Sequence, residues 1–157
     1  MARIARRRTR AAPDAIVDGY AQRGRECAYG NLRMMARVAG TVYEDALRPI
    51  DLRAGQLSLM WAIVATEPVE MVRLGAITLT DPTTLSRTVE KLRKAGLVSV
   101  RRDGRRKLLA LSAVGRERFA AAMPYWEEAQ RRVAALLPIV QIRSLAGRLR
   151  NATRQVI

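Results

Sequence analysis

The sequence predicts a mainly α fold with a small β-hairpin wing, an α+β class. Three observations predict it. Apolar residues recur at helical spacing over most of the chain, an Asp-Pro start and a Gly stop frame one helix from about Pro82 to Ala95, and an Asp-Gly turn joins two alternating segments between Val98 and Leu111. At 157 residues the chain has the length of one domain with a packed core, and 49% hydrophobic with 27% charged residues is ordinary for a globule. A formal net charge of +15 is not ordinary, and it points toward polyanions.

The elements follow in order. Residues 1–13 hold Arg3, Arg6, Arg7, Arg8 and Arg10 without helical periodicity and read as a disordered basic arm, either touching phosphates or a minor groove or acting as a solubilising tail. In residues 14–50, Leu32, Met35, Ala39, Val42 and Ala46 share one face of a long amphipathic helix that Pro49 ends. Leu57, Met60, Trp61 and Val64 mark a second helix, and Val69 to about Ala76 a short third. In the fourth, Asp81 can accept free N–H groups at the start, Pro82 suits the first position, and Gly96 ends the helix in a left-handed conformation. Leu85, Val89 and Leu92 form its apolar stripe, while Thr83, Ser86, Arg87, Glu90, Lys91 and Lys94 face away.

The hairpin comes next, with strands Val98–Arg102 and Arg105–Leu111 around an Asp103-Gly104 turn. From Arg87 to Lys107 there are nine Lys or Arg against Glu90 and Asp103, an excess of seven positive charges. A shaped helix followed by a basic hairpin suits nucleic acid. Ser112 then caps a long helix running to about Leu137 with Pro124 inside it, and Pro138 breaks the pattern. Ile142, Leu145, Leu149 and Val156 give a last helix whose apolar face needs a partner.

Several functions are excluded. No apolar run approaches the roughly 18 residues of a membrane span, and the Arg-rich start is followed by Ala-Ala-Pro-Asp rather than an apolar signal core, so a cytoplasmic location is expected. One cysteine cannot form an internal disulfide. The absence of histidine removes Ser-His and Cys-His pairs and imidazole metal ligands, so no enzyme, no cofactor and no metal site is expected.

The middle of the chain, within a span of roughly Cys27 to Val133, resembles the MarR family of winged helix-turn-helix transcriptional regulators. The motifs are Thr84-Leu85-Ser86-Arg87, Gly96-Leu97-Val98, Asp103-Gly104-Arg105 and Leu111-Ser112-Ala113-Val114-Gly115, in the family's order and register. The chain departs from the family in a wing a few residues shorter, in Arg53 where a capping Thr is common, and in Leu79-Thr80 where Gly-Leu is usual.

The resemblance implies a winged helix lobe over residues 51–112, with dimerisation helices in 14–50 and 113–157. A homodimer would place two recognition helices on a palindromic double-stranded DNA operator, as a repressor released by a small-molecule effector. The DNA-binding residues would be Thr83, Thr84, Ser86, Arg87, Lys91 and Lys94 on the helix, with Arg102, Asp103, Arg105 and Arg106 on the wing, Asp103 orienting Arg105 toward the minor groove. Leu32, Met35, Ile142, Leu145 and Leu149 would form the dimer interface.

Two alternatives stay open: a non-specific architectural nucleic-acid-binding protein, supported by the charge and the arm, and a thiol redox-sensing regulator using Cys27. The family includes sensors whose reactive Cys precedes a Tyr at a fixed spacing. Counted back from Tyr43, that place is Tyr29, two residues after Cys27, while Arg23 and Arg25 stand near enough to favour a thiolate. Trp61, Tyr125, Trp126 and the methionines read either as core or as the lining of an effector pocket.

Overall fold

The computed structural model describes residues 17, 20, 23–104 and 106–156, with the side chains of 153–156 set apart. The basic arm of residues 1–13 and the wing residue Arg105 lie outside them. The chain divides into two compact units, Met1–Ala39 and Gly40–Ile157. Helix α1, Ala28–Leu47, has residues in both.

In the second unit, α1 ends in a 3-10 turn, Arg48–Ile50, closed by Asp51 in the left-handed conformation with its N–H on the Arg48 carbonyl at 3.1 Å. Helix α2, Ala54–Val64, begins without a side-chain cap from Arg53. The orphan N–H groups find acceptors elsewhere: Ala54 N–H donates to Glu44 Oε1 at 2.9 Å, and Arg53 N–H to Gln56 Oε1 at 2.9 Å. Glu44 on α1 thus replaces the missing capping Thr, and Arg53 Nη1 closes on its other oxygen at 3.4 Å.

The short third helix expected from Val69 starts two residues later. Val69–Glu70 is a strand, β1, paired antiparallel with Leu109 and Leu108, and α3 covers Met71–Thr78. Periodicity cannot show so short a strand, because what makes it one is a hydrogen-bonding partner far along the chain.

Helix α4, Pro82–Lys94, ends where Gly96 at φ 72 turns the chain, with Gly96 N–H on Arg93 O at 3.0 Å and Leu97 N–H on Leu92 O at 2.9 Å, the paired bonds of a Schellman stop. Strands β2, Val98–Asp103, and β3, Arg106–Leu111, complete a three-stranded sheet in the order β1-β3-β2. The register pairs Asp103 with Arg106, so the turn begins at Gly104, one residue later than the sequence suggested. Gly104 at φ 58 takes the first turn position, where a side chain would be strained, and Asp103 belongs to the strand.

Leu47, Leu52, Leu57, Met60, Ile63, Val69, Leu74, Leu85, Val89, Leu92, Val98, Leu109 and Leu111 form one buried cluster under α2, α3, α4 and the sheet. Ser112 caps α5, Ala113–Leu136, accepting the Gly115 N–H at 2.9 Å, and the helix runs unbroken through Pro124. Trp61 meets Phe119 edge-on at 4.9 Å and lies 5.7 Å from Trp126, while Tyr125 and Trp126 pack partly buried against the core. Leu137 is extended before Pro138, as a residue preceding proline prefers, and α6 covers Ile139–Val156. Among the described residues, no helix is long and apolar enough to cross a membrane.

Candidate nucleic-acid interface

Helix α4 separates its two faces completely. Leu85, Val89 and Leu92 are buried, while Thr83, Thr84, Ser86, Arg87, Lys91 and Lys94 are exposed, so the core contacts hold the helix and leave its polar side open. Asp81 Oδ1 accepts the Thr84 N–H at 2.9 Å and the Thr83 N–H at 3.1 Å. These bonds, that of Thr84 foremost, hold the Asp81 carboxyl below its ordinary pKa, because they are made to the charged form. Thr88 Oγ1 donates back to the Thr84 carbonyl at 2.9 Å.

The cations of this segment are not equivalent. Arg93 donates from Nε and Nη2 to the two oxygens of Glu90, both at 2.8 Å, a bidentate pair that lowers the Glu90 pKa and raises that of Arg93. Its guanidinium is therefore paired within the helix. Arg87, Lys91 and Lys94 make no ion pair among the described residues.

On the wing, Arg101, Arg102, Asp103, Arg106 and Lys107 are exposed. Asp103 Oδ2 accepts from Arg106 Nη2 at 3.3 Å, and Arg106 Nη1 reaches Glu70 Oε1 on β1 at 3.2 Å, while Arg105, which Asp103 was expected to orient, lies outside the described residues. Glu70, which sequence reading passed over, thus ties the hairpin to the sheet edge. Only the register reveals it, since 36 residues separate the partners. At the base of the hairpin Glu67 does similar work, accepting the Leu111 N–H at 2.8 Å and pairing with Arg116.

Between α2 and α4 an open groove of about 400 Å³ is lined by Glu44, Arg53, Gln56, Ser58, Thr80, Thr84, Thr88 and Lys91. Arg53, exposed at the start of α2 and paired there with Glu44, stands at the rim of this groove; the sequence marked it as a departure at the helix start and not as part of the basic surface. Tyr43 donates its hydroxyl to Gln130 Oε1 on α5, and burial raises its pKa. In the first unit Cys27 is exposed, and its carbonyl accepts from Asn31 Nδ2 at 3.1 Å. Of the apolar residues expected at an interface, Leu32, Leu145 and Leu149 are exposed, while Met35 and Ile142 are half-buried.

No family model and no curated protein matches this sequence. Solved structures do. The Mycobacterium tuberculosis transcriptional regulator MosR in complex with DNA is 33% identical, with a TM-score of 0.72 over 83% of this chain and 98% of that one. A second structure of MosR gives 34% identity and a TM-score of 0.71 over 82% of this chain and 97% of that one. AbsC, a MarR family transcriptional regulator from Streptomyces coelicolor, is 20% identical with a TM-score of 0.68 over 83% of this chain and 93% of that one, a likeness of fold.

Proposed function

The chain belongs to the MarR family of winged-helix transcriptional regulators, and from that premise we propose that it binds palindromic double-stranded DNA operators sequence-specifically as a homodimer. The observation that carries this reading is the exposed polar face of α4: a capped helix with Thr83, Thr84, Ser86, Arg87 and Lys91 presented together, its Arg87 and Lys91 in no ion pair among the described residues, beside a basic hairpin. A relative of 33% identity crystallised with DNA supports the same partner.

In this reading Thr83, Thr84, Ser86 and Arg87 address base edges in the major groove, Arg87 as the residue able to pair bidentately with a guanine, while Lys91 and Lys94 address phosphates. Arg102 and Arg105 reach the flanking groove, and Arg106 with Asp103 and Glu70 holds the hairpin in place. Residues 51–112 serve as the DNA-binding lobe, with α1 and residues 113–157 as dimerisation elements. The exposed Leu145 and Leu149 on α6 and the apolar face of α1 carrying Leu32 and Met35 each offer surface to a second copy. The protein acts in the cytoplasm as a repressor released by a small-molecule effector, and it performs no catalysis.

Selection of bound duplexes from a random pool tests this. A palindromic consensus bound at least about a thousandfold tighter than random duplex at one fixed salt concentration is expected of a specific regulator. Equal affinity for every duplex would instead assign the protein to the architectural class.

A further inference from the structure

Leu79 places an exposed apolar side chain on a backbone conformation that disfavours a leucine. It is the residue after α3 and lies at φ 50, ψ 38, the left-handed region that the Cβ of a leucine disfavours. Such a position is normally given to glycine or asparagine. The residue is 62% exposed, so burial does not explain the leucine either. Strained backbone at a residue that contributes little to the core points outward, to a contact made by the side chain.

The position suits one kind of contact. Leu79 stands two residues before Asp81, whose carboxylate anchors the N–H groups of Thr83 and Thr84 and so fixes the start of α4. The backbone holds Leu79 firmly there: its N–H and that of Thr80 both donate to the Gly75 carbonyl, the latter at 3.1 Å. An apolar group fixed at the leading end of a recognition helix suits a thymine methyl, the apolar feature that the major groove displays.

We propose that Leu79 is an apolar contact to duplex DNA that contributes to operator preference. The proposal rests on the reading of α4 as the recognition helix. It is distinct from the cationic and hydroxyl contacts assigned above, because it would add affinity without adding to the salt dependence of binding.

Full-length Leu79→Gly and Leu79→Asn, both suited to the left-handed backbone, and Leu79→Met, which keeps an apolar side chain, test it against the selected operator and random duplex. Glycine and asparagine are expected to raise the operator dissociation constant about three- to tenfold with an unchanged salt slope, while the thermal midpoint stays at or above that of the parent. Methionine is expected to bind within about twofold of the parent. Two results would overturn the proposal: operator binding by the glycine and asparagine variants within twofold of the parent, or a fall in thermal midpoint that accompanies the loss of binding. Should the wild-type protein select no sequence at all, that measurement alone sinks the regulator reading and this contact with it.

Discussion

Gly115 lies against the backbone of Leu97, so closely that a Cβ built at position 115 would stand 1.9 Å from the Leu97 carbonyl oxygen. The same carbonyl accepts the Ser112 N–H at 3.1 Å. The first turn of α5 is therefore pressed onto the chain just after α4, and only a residue without a side chain permits it. Gly115→Ala is expected to destabilise the fold by about 3 kcal/mol, the upper part of the range for overpacking a rigid site. Gly55→Ala, where a Cβ meets nothing within 4 Å, should instead leave stability unchanged or raise it by about 0.5 kcal/mol. Urea midpoints of the two variants check the contrast, and equal midpoints would contradict the close approach.

Asp81 makes α4 sensitive to acid. Its folded pKa is depressed by the Thr84 and Thr83 N–H groups, so its contribution is fully present above the unfolded value of about 3.9 and is lost as pH falls through the lower folded value. Asp81→Ala should lower the thermal midpoint at neutral pH, with the difference from wild type shrinking below about pH 4. Asp81→Asn keeps an acceptor and should lose less at neutral pH. Melting curves from pH 3 to 7 decide this, and a gap between wild type and the alanine variant that is independent of pH would refute it.

Lys91 and Arg93 are neighbours in sequence with different partners, so they should differ on DNA. Lys91→Ala is expected to reduce the slope of log affinity against log salt by about one unit on operator and random duplex alike. Arg93 is already paired bidentately with Glu90, and its removal should change that slope by much less. Titrations at several salt concentrations measure both, and equal slopes for the two variants would reject the assignment.

The face of α6 should control assembly. Leu145 is 42% and Leu149 49% exposed, and Leu145→Glu is expected to raise the dimer dissociation constant at least about a hundredfold, because a charge would have to be buried against a second copy. Sedimentation velocity across concentrations reads the effect directly. Operator affinity should fall with it, since a monomer loses the spacing of about one helical turn between half-sites. An unchanged sedimentation profile would remove α6 from the interface.

Much of the DNA-binding lobe was legible in the residues themselves. Asp81, Pro82 and Gly96 bounded α4 correctly, and the stripe of Leu85, Val89 and Leu92 told its buried face from its polar one, because caps and 3.6-residue periodicity are local properties of a helix. Ser112 announced α5 for the same reason. Tertiary structure decided what depends on distant partners. Val69 became a strand because Leu109 supplies the pairing, and the one-residue shift of the wing turn followed from the Asp103 to Arg106 register. That register also gave Arg106 to Glu70 and Asp103, while the start of α2 was completed by Glu44 rather than by the residue at its own N-cap. Charge counting treated Arg87, Lys91 and Arg93 alike, and only the folded geometry separated the cation paired within its helix from the two that make no ion pair among the described residues. A sequence records which groups are present, but which of them satisfy one another depends on where the whole chain brings them.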